Sequence, residues 1–296
     1  MYWLLAFFCV VVWGTTFIST KVLLLHGLEP EDIILLRFGI AYLCLLPFYH
    51  RQMLLPWREE LWMALIGITG GSLYFMTENT ALDYTLTTNV SLIVSLTPLY
   101  TLLLMALFYK SSTRLTPLLL LGVLMAVVGV FCVVMNGHIL LQLNPLGDIL
   151  ALACGLSWSA YSLVYNRVSQ HYPALLITRK LFFWGFVTCL PVLLIARAPR
   201  NLTATLAEPT VLANLLFLSL VAGLLCFFVW NLSVKKVGTV GANNLIYFSP
   251  LVTLLTAHIV LGEPLTWMSA AGMALTVAGV WLATGNLKSR KQRSLV

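Results

Sequence analysis

The sequence predicts an all-α membrane protein, with ten transmembrane helices in two inverted five-helix repeats. Three observations predict it. The composition has too little charge for a water-facing surface, apolar runs of spanning length follow one another, and a set of motifs recurs in both halves.

Of 296 residues, 60% are hydrophobic and 9% are charged, whereas soluble domains carry about 25% charged residues. A helix needs about 20 apolar residues to cross the hydrocarbon core. Ten such segments with short loops use nearly the whole chain.

The first run, 3–25, lacks a basic n-region and exceeds the length of a signal-peptide core, so it is expected to remain as a membrane helix. The second, 33–49, is the shortest and follows the punctuation His26-Gly27-Leu28-Glu29-Pro30. Runs 61–82, 87–109 and 117–135 complete the first half. The second half holds 146–166, 175–196, 211–234, 240–261 and 267–284. Charges and helix breakers separate them, as at 51–60, 110–114, 136–145 and 262–264.

The net charge of +7 could suggest nucleic acid, but the basic residues form no patch interleaved with aromatics, so no nucleic-acid partner is expected. They mark topology instead. With the N-terminus inside, eleven Lys and Arg fall in cytoplasmic segments: Arg51, Arg58, Lys110, Arg114, Arg167, Lys235, Lys236 and four in the tail 288–293. The outer loops hold two, Arg197 and Arg200. This asymmetry places both termini in the cytoplasm and the protein in the cell inner membrane. The basic tail is also suited to anionic lipid. Lys21, Arg37, Arg179 and Lys180 are left within helices or at their ends.

The six cysteines lie in apolar runs and form no C-x-x-C pair, which points to neither a disulfide framework nor a zinc site. No metal and no cofactor are expected.

The halves repeat. Thr97-Pro98-Leu99-Tyr100-Thr101-Leu102-Leu103 matches Ser249-Pro250-Leu251-Val252-Thr253-Leu254-Leu255 at five of seven positions. Outward from there, Gly122 and Gly129 correspond to Gly272 and Gly279, Asn79 to Asn231, Trp13 to Trp158 and Arg37 to Arg179. Five helices per half is an odd number, so the halves enter the membrane from opposite sides, as in many secondary transporters. Arg37 near the outer end of the second helix and Arg179 near the inner end of the seventh agree with that exchange of depth. The expected division is 1–141, 142–285 and a basic tail, 286–296.

In these motifs the sequence resembles the drug/metabolite transporter superfamily, in particular its EamA-type branch of ten-helix bacterial exporters. The likeness rests on Trp13-Gly14 and Trp158-Ser159, on the Pro98 and Pro250 motifs, and on Leu261-Gly262-Glu263-Pro264-Leu265-Thr266 with the glycines that follow. Lys110-Ser111-Ser112-Thr113-Arg114 departs from the pattern, leaving Glu263 without a counterpart in the first half. The resemblance implies eight helices around a central cavity, with the fifth and tenth at the back. It also implies export of amino acids, aromatic compounds or other small metabolites by alternating access.

Several residues are candidates for the transport path. Pro98 and Pro250, near the middle of helices four and nine, are expected to kink them and act as hinges. The paired glycines, seven residues apart, are expected to allow close helix packing. Trp13, Tyr74, Asn79, Trp158, Tyr161, Trp230, Asn231, Asn243, Asn244 and Tyr247 are polar or amphipathic side chains inside spans, expected to face other helices or a wet cavity. Arg37 and Arg179 are intramembrane cations, expensive unless they meet a cavity or a partner. Arg37 is expected to face the path, whereas Arg179 and Lys180 either face it or snorkel to the inner headgroups. Lys21, Arg37 and Glu78 share a depth near the outer side, which suggests a gate in which Glu78 pairs with either cation.

The partners implied are a small-molecule substrate and the bilayer, and proton coupling is compatible with this set. Three other readings compete. Uptake or exchange of phosphorylated or nucleotide-linked sugars by a related fold would demand several cations near the midplane. A lipid-modifying membrane enzyme would need clustered carboxylates or histidines, and these histidines are scattered. A receptor would carry an extramembrane domain, for which the chain leaves no room.

Overall fold

The computed structural model describes residues 1–48, 50, 52–108, 117–135, 145–195, 205–262, 266–268, 270–279 and 282. The 110–114 and 136–144 segments, Arg51, Arg197, Arg200, Glu263–Leu265 and the basic tail lie outside them. So do the charges there that informed the topology.

The first half begins with α1 (Tyr2–Leu25) and α2 (Pro30–Leu45). Next come α3 (Trp57–Gly67), a π-helical stretch (Ile68–Ser72) and α4 (Leu73–Tyr84). Then follow α5 (Thr87–Val94), α6 (Thr97–Phe108) and α7 (Pro117–Met135). The second half has α8 (Pro145–Val168), α9 (Ala174–Ile195), α10 (Pro209–Leu216), a π-helical stretch (Phe217–Leu225) and α11 (Cys226–Val237). It continues with α12 (Thr239–Asn243), a 3-10 turn (Asn244–Phe248) and α13 (Ser249–Leu261), then α14 (Ala270–Gly279). There is no strand among the described residues.

Five of the described helical stretches are long and apolar enough to cross a membrane: Tyr2–Leu25, Pro145–Val168, Ala174–Val192, Pro209–Val237 and Thr239–Leu261. Pro117–Gly129 and Ala270–Gly279 are shorter and apolar. The second helix is only 16 residues long and carries Arg37. Large side chains such as Leu4, Phe48, Leu61, Leu107, Leu124, Ile149 and Ile259 stand exposed on the outside, while Arg37, Glu78, Asn79, Arg179 and Asn231 are buried inside. An apolar exterior around an interior that holds charges and amides among its hydrophobic core is stable in lipid and not in water. This is a multi-pass membrane protein.

Local chemistry sets the helix ends. Pro30 occupies the first turn of α2, and the Glu29 N–H donates to Asp32 Oδ2 (3.3 Å) in a capping box. Gly238 alone separates α11 from α12, with φ at +95°, a conformation that costs a side chain dearly. Gly262 ends α13 in the left-handed region, at φ +69°.

The prolines act differently from the expected mid-helix kink. The fourth apolar run breaks between Val94 and Thr97, and the ninth passes through a 3-10 turn before Ser249. Pro98 and Pro250 therefore sit in the first turn of a new helix, where the missing N–H is no loss. Thr97 Oγ1 donates to the Val94 carbonyl (2.5 Å), the group that a residue with an N–H at position 98 would have bonded.

Packing interleaves the two halves. α8 lies along α4, α5 and α6, whereas α1 lies along α11 and α13. α9 packs on α2 and α3. The glycine pairs meet across α7 and α14. A Cβ on Gly129 would lie 2.6 Å from the Gly272 carbonyl, and one on Gly279 would lie 2.6 Å from the Gly122 carbonyl. The two contacts are reciprocal.

Candidate functional site

The helices enclose a central cavity lined from both halves. α1 supplies Trp13, Thr16 and Phe17, α2 supplies Arg37, and α4 supplies Tyr74, Phe75 and Glu78. Val94 and Thr97 face Trp158, Phe227, Ile246 and Ser249 of the second half. Its volume is about 40 Å³ counted at the centres of water molecules, room for about three waters.

The walls come in corresponding pairs. Trp13 and Trp158 stack edge to face at 5.3 Å. The register that pairs Asn79 with Asn231 also pairs Phe75 with Phe227, whose rings lie 6.2 Å apart. The same register pairs Val94 with Ile246 and Thr97 with Ser249, the positions beside the two prolines. Further hydroxyls repeat the theme: Thr253 donates to the Gly14 carbonyl (2.8 Å) and Thr101 to Ser159 Oγ (3.2 Å).

The charges break that correspondence. Arg37 and Glu78 are each 2% exposed and both line the cavity. Their counterparts in register are Arg179 and Trp230, which do not line it. The Arg37 guanidinium lies 4.0 Å over the Phe75 ring. Arg37 Nε and one Glu78 oxygen are buried without a hydrogen-bond partner among the described residues. The two groups interact through space without a direct ion pair. The wall thus sets two charged groups among aromatic and aliphatic side chains, with Arg37 lying directly over a ring.

Of the residues proposed for the path, the structure brings Trp13, Arg37, Tyr74 and Trp158 to the cavity wall. The others are absent from the wall. Asn231 accepts from the Tyr161 hydroxyl and donates to Thr178 Oγ1 (2.9 Å), tying α11 to α8 and α9. Asn243 accepts from Trp158 Nε1 (3.1 Å) and donates to the Thr239 carbonyl (2.9 Å). Asn79 donates to the Pro30 carbonyl (3.3 Å). Trp230 backs Trp13 at 5.0 Å. Tyr247 packs beside Ala126, and the buried Asn244 is absent from the wall.

Two expectations about charge change. Arg179 neither faces the cavity nor reaches for headgroups: it donates to the Gln52 carbonyl (2.7 Å) and contacts Met53 Sδ (3.2 Å). Lys180 beside it bonds both Glu60 oxygens (2.6 and 2.7 Å) and the Met53 carbonyl (2.7 Å). Lys21 donates to the Leu82 carbonyl at 2.6 Å, because its long chain finds the free carbonyls at the end of α4 before it reaches Glu78. Of the three charges expected to form a gate, Arg37 and Glu78 line the cavity and Lys21 is engaged at the end of α4. Phe75, Phe227, Thr97 and Ser249 escaped the sequence reading as wall residues, although their recurrence in register was the available signal.

The EamA-like transporter family matches this chain at residues 1–135 and 145–285. The protein belongs to the EamA-like transporter family, and is a transporter rather than an enzyme. Among its relatives is a "probable amino-acid metabolite efflux pump" of Salmonella typhimurium, 28% identical over 97% of this chain and 96% of the relative. A protein of the same description from Escherichia coli is 25% identical over 97% of this chain and 96% of that one. An uncharacterized transporter of Archaeoglobus fulgidus is 26% identical over 93% and 94% of the two chains. A crystal structure sharing 21% identity covers 98% of both chains at a TM-score of 0.75, which establishes the shared fold.

Proposed function

We propose that this protein exports small amphiphilic metabolites, amino acids foremost, across the inner membrane by alternating access. The observation that carries the reading is the mixed lining of the cavity, two charged groups among aromatic rings. A buried cation and a buried carboxylate with unpartnered atoms face walls of Trp, Phe and Ile. A zwitterion with an apolar body complements both: its carboxylate meets Arg37, its ammonium meets Glu78, and its side chain lies against Trp158 and Phe227. The names of the Salmonella and Escherichia relatives agree with this cargo. Phosphorylated sugars fit less well, since Arg37 is the one cation on the wall among the described residues.

Ten helices in two inverted repeats, 1–141 and 142–285, with both termini cytoplasmic, complete the proposal. The two family matches, the reciprocal glycine contacts and the paired wall residues support it. Export then proceeds as the packed halves rock around the cavity. The Lys180–Glu60 clamp closes one end, while the other end carries a more exposed His26–Glu208 contact at 3.8 Å.

Counterflow in proteoliposomes tests the cargo, using a panel of radiolabelled amino acids with and without a proton gradient. Apolar and aromatic amino acids should exchange, and Trp158→Ala should weaken exchange at unchanged protein abundance. Exchange of none of them, or full exchange in both Trp158→Ala and Trp13→Ala, refutes this cargo and site.

A further inference from the structure

Two stretches of π-helix interrupt the helices that carry the cavity wall. Ile68–Ser72 lies between α3 and α4, and Phe217–Leu225 lies between α10 and α11. The register pairing Asn79 with Asn231 lays the first stretch inside the second and sets Gly71 on Gly223. π-helix is rare, usually limited to a single turn, and concentrates at functional sites. The second stretch runs for nine residues.

Each stretch is held from outside by the first helix of the opposite half. Ser157 Oγ of α8 donates to the Thr69 carbonyl at 2.7 Å. Trp13 Nε1 of α1 donates to the Ala222 carbonyl at 3.0 Å. Ser157 and Trp13 stand one register position apart in corresponding helices. In a membrane interior, carbonyls loosened by irregular winding are satisfied by neighbouring side chains in this way. The wall residues follow directly: Tyr74, Phe75 and Glu78 after the first stretch, and Phe227 after the second.

We propose that the paired π-stretches are register switches, and that the Ser157 and Trp13 bonds are the latches that set them. A π-turn stores one extra residue. If it migrates toward the far end of its helix while the ends stay fixed, every residue that it passes shifts by one position, about 100° around the axis and 1.5 Å along it. In the first half this moves Leu73, Tyr74 and Thr77 into the places of Tyr74, Phe75 and Glu78. The carboxylate leaves the wall and a hydroxyl replaces it. In the second half Cys226 takes the place of Phe227, exchanging an aromatic ring for a small thiol. The switched cavity is wider and holds an ammonium group less well, which suits release. Ser157 and Trp13 are thus positioning residues that act through the backbone of the opposite half. The switch serves the alternating access proposed above and rests on that reading.

Thiol labelling in full-length protein tests it without any substrate, so its result is independent of the counterflow assay. Three backgrounds retain a single cysteine each: native Cys226, native Cys189, or an introduced Thr77→Cys. Cys226 is fully buried, Cys189 is 1% exposed and Thr77 is 8% exposed, so N-ethylmaleimide reacts at Cys226 and Thr77→Cys only as the switch samples its other register. Ser157→Ala should speed labelling of Thr77→Cys about fivefold, the population change expected from losing one hydrogen bond. Ser157→Thr, which keeps the hydroxyl, should stay at the parent rate and serves as the folding control. Trp13→Phe should speed labelling of Cys226 by a similar factor and leave Cys189, on α9, unreactive. Unchanged rates at Thr77→Cys and Cys226 would overturn the switch. Equal acceleration at Cys189 would do so too, since it would reveal general loosening.

Discussion

Arg37 and Glu78 concentrate the chemistry of the cavity. Both are buried, and neither meets the other directly, so each keeps bonding capacity for a ligand. Replacing either by Gln removes a charge-assisted bond worth about 1.5–3 kcal/mol, so zwitterion affinity should fall about ten- to a hundredfold. Equilibrium binding of a radiolabelled apolar amino acid to purified protein reads this directly. The exchange Glu78→Arg with Arg37→Glu should recover part of the lost affinity. Full affinity in Glu78→Gln would remove the carboxylate from the site. At this scale the sequence was partly legible. An intramembrane Arg is expensive in lipid, so Arg37 could be placed on an interior face. Its kin Arg179 carries the same signal and has a different fate, because the 52–53 loop offers it a carbonyl and a sulfur. Which buried partner a cation finds depends on chain segments far away in sequence.

Elements show where small residues and clamps decide the packing. A Cβ on Gly129 would press to 2.5 Å from the Thr276 amide nitrogen, and one on Gly279 to 2.5 Å from that of Ala126. Backbone cannot yield as a side-chain end can. Gly129→Ala and Gly279→Ala should each destabilise the protein by about 1–3 kcal/mol, read as a lowered unfolding midpoint in detergent, with substrate affinity unchanged. The clamp at Lys180 predicts a different pattern. Lys180→Gln leaves the Glu60 carboxylate, 14% exposed, without its cation and should cost about 3–5 kcal/mol. Lys180→Gln with Glu60→Gln should regain most of that loss in the same unfolding assay. If the double variant is no better than the single one, the ion pair is not what holds α3 to α9. The glycine spacing announced close helix packing from sequence, and the fold shows that α7 and α14 are the partners. The π-stretches did not, because Ile-Thr-Gly-Gly-Ser and the run 217–225 differ little from ordinary helical composition. Pro98 and Pro250 marked the right places but suggested kinks where the chain starts helices anew.

At the scale of the whole molecule, His26 meets Glu208 and Gly147 lies against Thr85, while Gln52 and Met53 meet Arg179 and Lys180 of α9. The proposed orientation puts the first group outside. Impermeant maleimide on intact cells should label Glu208→Cys, and it should reach Gln170→Cys and Lys236→Cys only after permeabilisation. Labelling of Glu208→Cys and Lys236→Cys from one side would break the inverted topology. The sequence by itself determined the membrane class, the family and the recurrence of motifs, because these follow from composition, run length and local spacing. Tertiary structure decided which of a dozen candidates form the wall, since that depends on how α1 docks on α11 and α13, and α8 on α4 and α6. It also decided the asymmetry of the site. Two arginines in equivalent positions look alike in sequence, but only Arg37 lines the cavity, where its buried Nε keeps no hydrogen-bond partner and stays available to a ligand.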